Sequence, residues 1–353
     1  MTSSSVEAGT TRPTACPQKS RSVRDSSSQG GLATLDKELK HLCLDDCCGV
    51  HGDRKQSRPR PKFTSTDQSS GVTSRFNNIN KIDKSHPVFK QISRKNGEIN
   101  KLNASEVKAK LGTLKLNTRG RIDILKSRLK SYYKQRQLAA ESGFQSMHQQ
   151  FDYLLVIDYE ATCEEPEPPD FVPEIIEFPI VLINTSTLEV EDEFQAFCRP
   201  TFNPKLTQFC TDLTSITQSM VDSAELFPDV WKKVCKWMDS KGLGTYYTFA
   251  VACDGPWDMN LFLNVQCHLS QVPFPNFCRK WVNICKAMSN FYHLPRMSLK
   301  NMLTAHELTF EGRPHRGISD ARNIARIAVI LMEDGCILDC NDSFDTNFSP
   351  NAH

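Results

Sequence analysis

The chain has 353 residues, 39% of them apolar and 24% charged, with a formal net charge of +2. That length suits about two domains, and so low an apolar share excludes a chain packed from end to end. No run approaches roughly 18 apolar residues, which excludes a membrane-spanning helix. The N-terminus shows no signal-like apolar stretch, and the 14 cysteines include no CxxC pair, so they read as reduced thiols of an intracellular protein.

The small net charge conceals an asymmetry. Between Arg54 and Glu141 stand 22 Lys and Arg against 6 Asp and Glu, and the remainder of the chain is acidic by 14. A basic arm beside an acidic body points to polyanion binding by the one and cation binding by the other. The competing reading is a lysine-rich solvated surface.

Residues 1–97 read as a largely disordered, basic N-terminal region. The first thirty are polar and of low complexity, including Ser26-Ser27-Ser28. Leu32–Leu44 has the spacing of one short amphipathic helix. The run Arg54-Lys55-Gln56-Ser57-Arg58-Pro59-Arg60-Pro61-Lys62 is either a nuclear-localisation signal or a charged linker. Cys43, Cys47, Cys48 and His51 are four metal-binding side chains at a spacing that fits no common zinc site.

Order returns near Ile99, and a small helical domain is expected over 98–137. Val107, Leu111 and Leu114 predict a helix from Ala104 to Leu114, with Asn103 or Ser105 as its cap. Gly120 ends a turn beginning at Leu116. A second helix is predicted over Ile122–Gln137, with Ile122, Leu125, Leu129 and Tyr132 on one face. Lys126, Arg128, Lys130, Lys134 and Arg136 fall on its other faces, directed outward. The segments Leu116-Asn117-Thr118-Arg119-Gly120 and Leu125-Lys126-Ser127-Arg128-Leu129 resemble the SAP module, a small nucleic-acid-binding helical motif. It often carries Lys where this chain has Ile122. The resemblance implies RNA contacts from Arg119, Arg121, Lys126, Arg128, Lys130 and Lys134.

After a linker over 138–150 the pattern changes. Tyr153–Ile157 reads as a buried strand, and Ile175–Ile183 and Leu188–Cys198 as a hairpin pair. Phe227–Met238 reads as a helix, Tyr246–Ala252 as a strand, and Asp258–Leu269 and Ser319–Met332 as helices. Strands mixed with helices predict an α/β domain, a mixed sheet flanked by helices, over 151–342, with a polar tail at 343–353.

Within that domain three acidic motifs stand out. Asp158 and Glu160 share a face at the end of an apolar strand, because residues i and i+2 project together. Two carboxylates so placed repel and raise each other's pKa unless a cation lies between them. A solvated strand end is the equal rival. Asp258 lies on the helical face of Leu261, Phe262, Val265 and Leu269, so it turns inward and is read as the ligand; Asp254 reads as a structural group, or one that supports a ligand, at the preceding strand end. Asp320 repeats the device with Ile324, Ile327 and Leu331. His315, on a Gly-containing and mobile loop five residues earlier, suits a general base near neutral pH.

Together these resemble the DEDDh exonucleases: D-x-E, an aromatic-Asp at a helix start, and H-x-x-x-x-D. Glu160-Ala161-Thr162-Cys163-Glu164-Glu165, Glu174-Ile175-Ile176-Glu177-Phe178-Pro179, Asp254-Gly255-Pro256-Trp257-Asp258-Met259 and Gly312-Arg313-Pro314-His315 narrow the resemblance to the Eri-type exoribonucleases, which carry an N-terminal SAP module. Relatives usually have Gly where this chain has Ser215. The resemblance implies an RNase H-like fold and 3′→5′ hydrolysis of RNA to nucleoside 5′-monophosphates. Two Mg²⁺ ions, replaceable by Mn²⁺, would be held by Asp158, Glu160, Asp258 and Asp320. Glu160 and His315 would be catalytic, and Ala161, Thr162, Trp257 and His315 would contact substrate, Trp257 alternatively being a packing residue. It also implies stem-loop or overhanging duplex RNA as substrate: histone mRNA ends, the 5.8S ribosomal RNA 3′ end and small interfering RNA. Ribosomes and the histone stem-loop-binding protein are the implied partners, and cytoplasm, nucleus and nucleolus the implied locations. The rival readings are a DNA exonuclease of repair and a non-catalytic RNA-binding adaptor.

Overall fold

The computed structural model describes residues 85–142 and 148–345. The Leu32–Leu44 helix, the Cys43/Cys47/Cys48/His51 group, the basic run at 54–62 and most of the tail lie outside the described residues.

Three helices come first: α1 (Pro87–Asn100), α2 (Ala104–Thr113) and α3 (Ile122–Ser142). The expectation of disorder through residue 97 is corrected by α1. Its apolar residues are few and widely spaced, yet Val88, Ile92 and Ile99 are buried, the first two in a small cluster with Leu138 of α3. Proline in the first turn fixes φ where no amide partner is needed. A reciprocal capping box starts α2: the Glu106 amide donates to Asn103 Oδ1, and the Asn103 amide donates to Glu106 Oε2. Ile99, Val107, Leu111, Leu125 and Leu129 form the core of this helical unit.

The outward direction expected for the α3 charges is wrong for Arg128. Only 2% of Arg128 is exposed. Its Nε lies 2.5 Å from Asp334 Oδ1, and Nη1 donates to the carbonyls of Asn117 and Arg119. Tyr292 donates to the other Asp334 oxygen at 2.6 Å. Ile124, the neighbour of Leu125, packs not into the hairpin but into the core of the larger domain. The Arg121 amide donates to the Ala305 carbonyl at 2.8 Å, and Gly120, at φ +122°, lets the chain pass against that carbonyl. Helix α3 therefore has two apolar faces and docks on the α/β domain. Arg128 serves that joint, not RNA. Lys126 is half-buried and donates to the Asn100 carbonyl; Lys130 is half-buried; Arg119, Arg121 and Lys134 are exposed.

The α/β domain is built on seven strands among the described residues: β1 (Tyr153–Val156), β2 (Glu160–Ala161), β3 (Ile175–Asn184), β4 (Glu189–Phe197), β5 (Phe249–Cys253), β6 (Lys280–Asn283) and β7 (Asp342–Ser343). The sheet order is β2-β3-β1-β5-β6-β7, with β4 on the other side of β3. Strands β1, β5 and β6 are parallel; β1–β3, β2–β3, β3–β4 and β6–β7 are antiparallel. The sheet is mixed and flanked by helices, as expected.

Alternate residues of β1 feed two cores, as the two-residue strand period requires. Leu154 and Val156 face one side, with α8 (Ile284–Tyr292), α9 (Leu299–Ala305) and α10 (Gly317–Glu333). Leu155 and Ile157 face the other, with α6 (Phe227–Ser240) and the turn at Met259 and Leu263. Short helices α4 (Gln208–Thr214), α5 (Gln218–Asp222) and α7 (Asn264–Leu269) complete the set. Asp258–Leu263 is a π-helical turn running into α7, in place of the single α-helix expected there.

Candidate active site

The parallel strands β1 and β5 end side by side, and their carboxyl ends carry Asp158 and Asp254. Carboxylate oxygens of Asp158, Asp254 and Asp258 lie within 4.8 Å of one another, and so do those of Asp158, Glu160 and Asp320. Asp158 is common to both groups. The structure thus brings the four expected acids together and adds Asp254, which the sequence reading set aside as structural. Strand β1 cannot continue through Tyr159, whose amide donates to Asp258 Oδ1 at 2.9 Å. That bond ties the strand end to the π-helical turn.

These acids are desolvated and mutually repulsive. Burial raises the pKa of Asp158 well above the usual range, and Asp258, Asp320, Asp254 and Glu160 each add to the shift. Burial, then Asp320, Glu177 and Asp258, do the same to Glu160. Burial with Asp254 pushes Asp258 up to about 8, and burial chiefly pushes Asp320 up to about 7. An all-oxygen donor set of this charge fits hard divalent cations.

Two buried acids outside the cluster hold its frame, and sequence reasoning gave neither a role. Glu177, fully buried in β3, accepts from the Gly317 and Ile318 amides and from Gln195, and Arg316 Nε lies 3.4 Å away. It anchors the start of α10, where unpaired amides and the helix dipole favour an anion. Gly317 is required there: an added Cβ would stand 2.6 Å from the Asp158 carbonyl. Glu174 gathers the amides of Thr201, Phe202 and Asn203. The available signal was an acid inside the apolar run Ile175-Ile176-Glu177-Phe178, since buried charges require partners.

His315 is exposed, at φ +60°, on the loop that leads into α10. Partial desolvation by its surroundings, then the Arg313 guanidinium, lower its pKa from the usual histidine value. Its loop is braced on both sides, contrary to the mobility expected. Arg313 donates to the Asp212 carbonyl at 2.7 Å, Arg316 donates to the Ser215 carbonyl at 3.5 Å, and Arg316 lies 4.9 Å over the Phe197 ring. Ser215 caps α4 at φ +60°. Glycine suits that left-handed position better, which gives the Gly-to-Ser departure a physical meaning.

Ala161 and Thr162 line the exit of β2. Thr162 is buried, its amide donating to the Glu174 carbonyl and its hydroxyl accepting from the Glu174 amide. Both polar groups thus clamp β2 to β3. Trp257 is half-buried directly before Asp258.

A family model described as Exonuclease matches residues 155–328. Human 3′-5′ exoribonuclease 1 is 48% identical over 311 residues, 86% of this chain and 88% of that protein. Among solved structures, a 3′-exonuclease recognising the 3′ end of a histone mRNA stem-loop aligns at TM-score 0.56 and 49% identity, over 74% of this chain and 91% of that one. The nuclease domain of 3′hExo, a DEDDh family member bound to rAMP, aligns at TM-score 0.55 and 52% identity, over 56% of this chain and all of that domain.

Proposed function

The chain belongs to the Eri-type DEDDh 3′→5′ exoribonucleases, enzymes dependent on divalent metal, and from that membership we propose how it acts and on what. Its substrate is structured RNA with a short single-stranded 3′ tail, and its product is a nucleoside 5′-monophosphate. The relatives held with a histone mRNA stem-loop and with rAMP support both.

One observation carries the mechanism: two three-acid groups share Asp158. Asp158 would hold two cations in common, with Asp254 and Asp258 on one side and Glu160 and Asp320 on the other. A pair of Mg²⁺ ions bound there would activate water and stabilise the leaving 3′-oxygen. A nitrogen of His315 accepts the proton of the attacking water, and its lowered pKa keeps it unprotonated near neutral pH. Glu177 and Gly317 set α10, and so Asp320, against the end of β1. Trp257 and the Ala161–Thr162 backbone border the terminal nucleotide. Histone mRNA, 5.8S ribosomal RNA and small interfering RNA, the ribosome and the stem-loop-binding protein, and nuclear, nucleolar and cytoplasmic residence are carried over from the family resemblance.

The test uses one stem-loop with a 3′ tail, made as RNA and as DNA. With Mg²⁺, nucleoside 5′-monophosphates should leave the RNA one at a time. Faster digestion of the DNA, internal cleavage, or full activity in a chelator would each refute the proposal.

A further inference from the structure

Most buried thiols of the α/β domain are inert by environment. Burial pushes the pKa of Cys198, Cys253, Cys267, Cys278 and Cys336 up. Cys210 of α4 is different. It is fully buried among Ile176, Ile216 and Val221, with Cys163 packed on the same cluster. Its thiol pKa is drawn below the usual value chiefly by the Cys163 side chain, then by the Cys163 backbone and Thr214, although burial opposes them; the Thr214 hydroxyl itself donates to the Cys210 carbonyl at 2.8 Å. Cys210 Sγ also lies 3.8 Å from the Ala161 carbonyl. Thr207 fastens the two segments: its hydroxyl donates to the Cys163 carbonyl at 2.7 Å and accepts from the Cys210 amide at 3.0 Å.

We propose that Cys163 and Cys210 are a redox pair beside the acid cluster, which hydrogen peroxide converts to a disulfide that switches the exonuclease off. Cys163 is half-buried and Cys210 buried, so peroxide reaches Cys163 first. The Cys163 thiol gives up its proton and attacks one peroxide oxygen; the O–O bond breaks and hydroxide leaves, giving the sulfenic acid. The Cys210 thiolate attacks that sulfur; the S–S bond forms and the sulfenic oxygen departs as hydroxide. With the two thiol protons, two thiols and one peroxide yield one disulfide and two waters.

The bond would act on both halves of the site. Cys163 lies three residues beyond Glu160, on the exit of β2. Helix α4 and its cap supply the Asp212 and Ser215 carbonyls that receive Arg313 and Arg316, the braces of the His315 loop. Drawing α4 toward β2 displaces Glu160 and His315 relative to each other. A shift of about 1 Å in such a site lowers turnover on the order of 10²-fold.

The experiment exposes the full chain to graded hydrogen peroxide, blocks remaining thiols and maps peptides by mass spectrometry. Hydrolysis of a short single-stranded RNA is measured in parallel. A Cys163–Cys210 cross-link should appear as activity falls, and dithiothreitol should reverse both. Cys163→Ser and Cys210→Ser, each compared with its own reduced form, should escape the reversible loss. No cross-link when other cysteines are oxidised, a cross-link without loss of activity, or equal inactivation of Cys163→Ser would overturn the proposal. Peptide mapping tests the pair without reference to the exonuclease reaction, so failure of the one is distinguishable from failure of the other.

Discussion

Among the described residues, two buried charged sites are solved in opposite ways. At the joint between α3 and the α/β domain, Arg128 meets Asp334 and Tyr292 closes the remaining carboxylate oxygen. Burial lifts the Asp334 pKa, and Arg128 and Tyr292 work against it. At the end of β1 every neighbour of Asp158 adds to the effect of burial. Charge that is matched by its surroundings fastens two parts together. Charge that is left unmatched at a strand end holds a place for a cation supplied from outside.

The largest expected effects break the unmatched site. Asp158→Asn removes the acid common to both groups and should abolish hydrolysis with the circular dichroism spectrum unchanged. Because it also removes repulsion, its metal-free melting temperature should exceed that of the parent. Asp258→Asn should be as severe and Asp254→Asn milder; the reverse order, read in the same RNA assay, would show that Asp254 holds their shared cation more firmly than Asp258 does. His315→Ala follows, with turnover reduced by roughly 10²–10⁴-fold. RNA affinity should stay unchanged in a binding titration.

The matched site breaks differently. Arg128→Met strands Asp334 in the interior and should cost about 3–5 kcal/mol of stability in denaturant unfolding. Turnover on short single-stranded RNA should persist. Adding Asp334→Leu should recover much of the loss, since an apolar pair leaves no buried charge behind.

A smaller effect separates the sites by pH. The folded pKa values of Asp258, about 8, and Asp320, about 7, stand above the ordinary carboxylate value. In metal-free protein their contribution is therefore present at acid pH and lost as pH rises through 7 to 8. Melting in a chelator should worsen between about pH 5 and pH 8, and Mg²⁺ should stabilise most at the upper end. A metal effect independent of pH would contradict the raised values. Smallest of all, replacing exposed Arg119 or Lys134 by alanine should reduce the salt slope of stem-loop binding by about one each, whereas Arg128 should show no such signature.

What the sequence disclosed was periodicity and spacing. The apolar run before Asp158 and the helical offsets after Asp258 and Asp320 sufficed to turn three acids inward. They did not suffice for Asp254, whose place depends on β5 ending parallel to β1. Arg128 misled for a related reason: its partner is 206 residues away, and a basic residue beside Leu125 and Leu129 reads as solvated until the second face of α3 has somewhere to pack. Helix α1 was missed because its apolar residues are too sparse to declare a period without α3 beneath it.

The docking of α3 also changes the statistics of encounter. A binding module on a flexible tether offers its catalytic partner a local concentration governed by chain length. Here Ile124, the Arg121 amide and the Arg128–Asp334 pair fix the module's surface in the frame of the acids. If a stem binds that surface, as proposed, its 3′ tail would be presented at a distance set by geometry, and tails shorter than that distance should fall short of the cluster however tightly the stem is held.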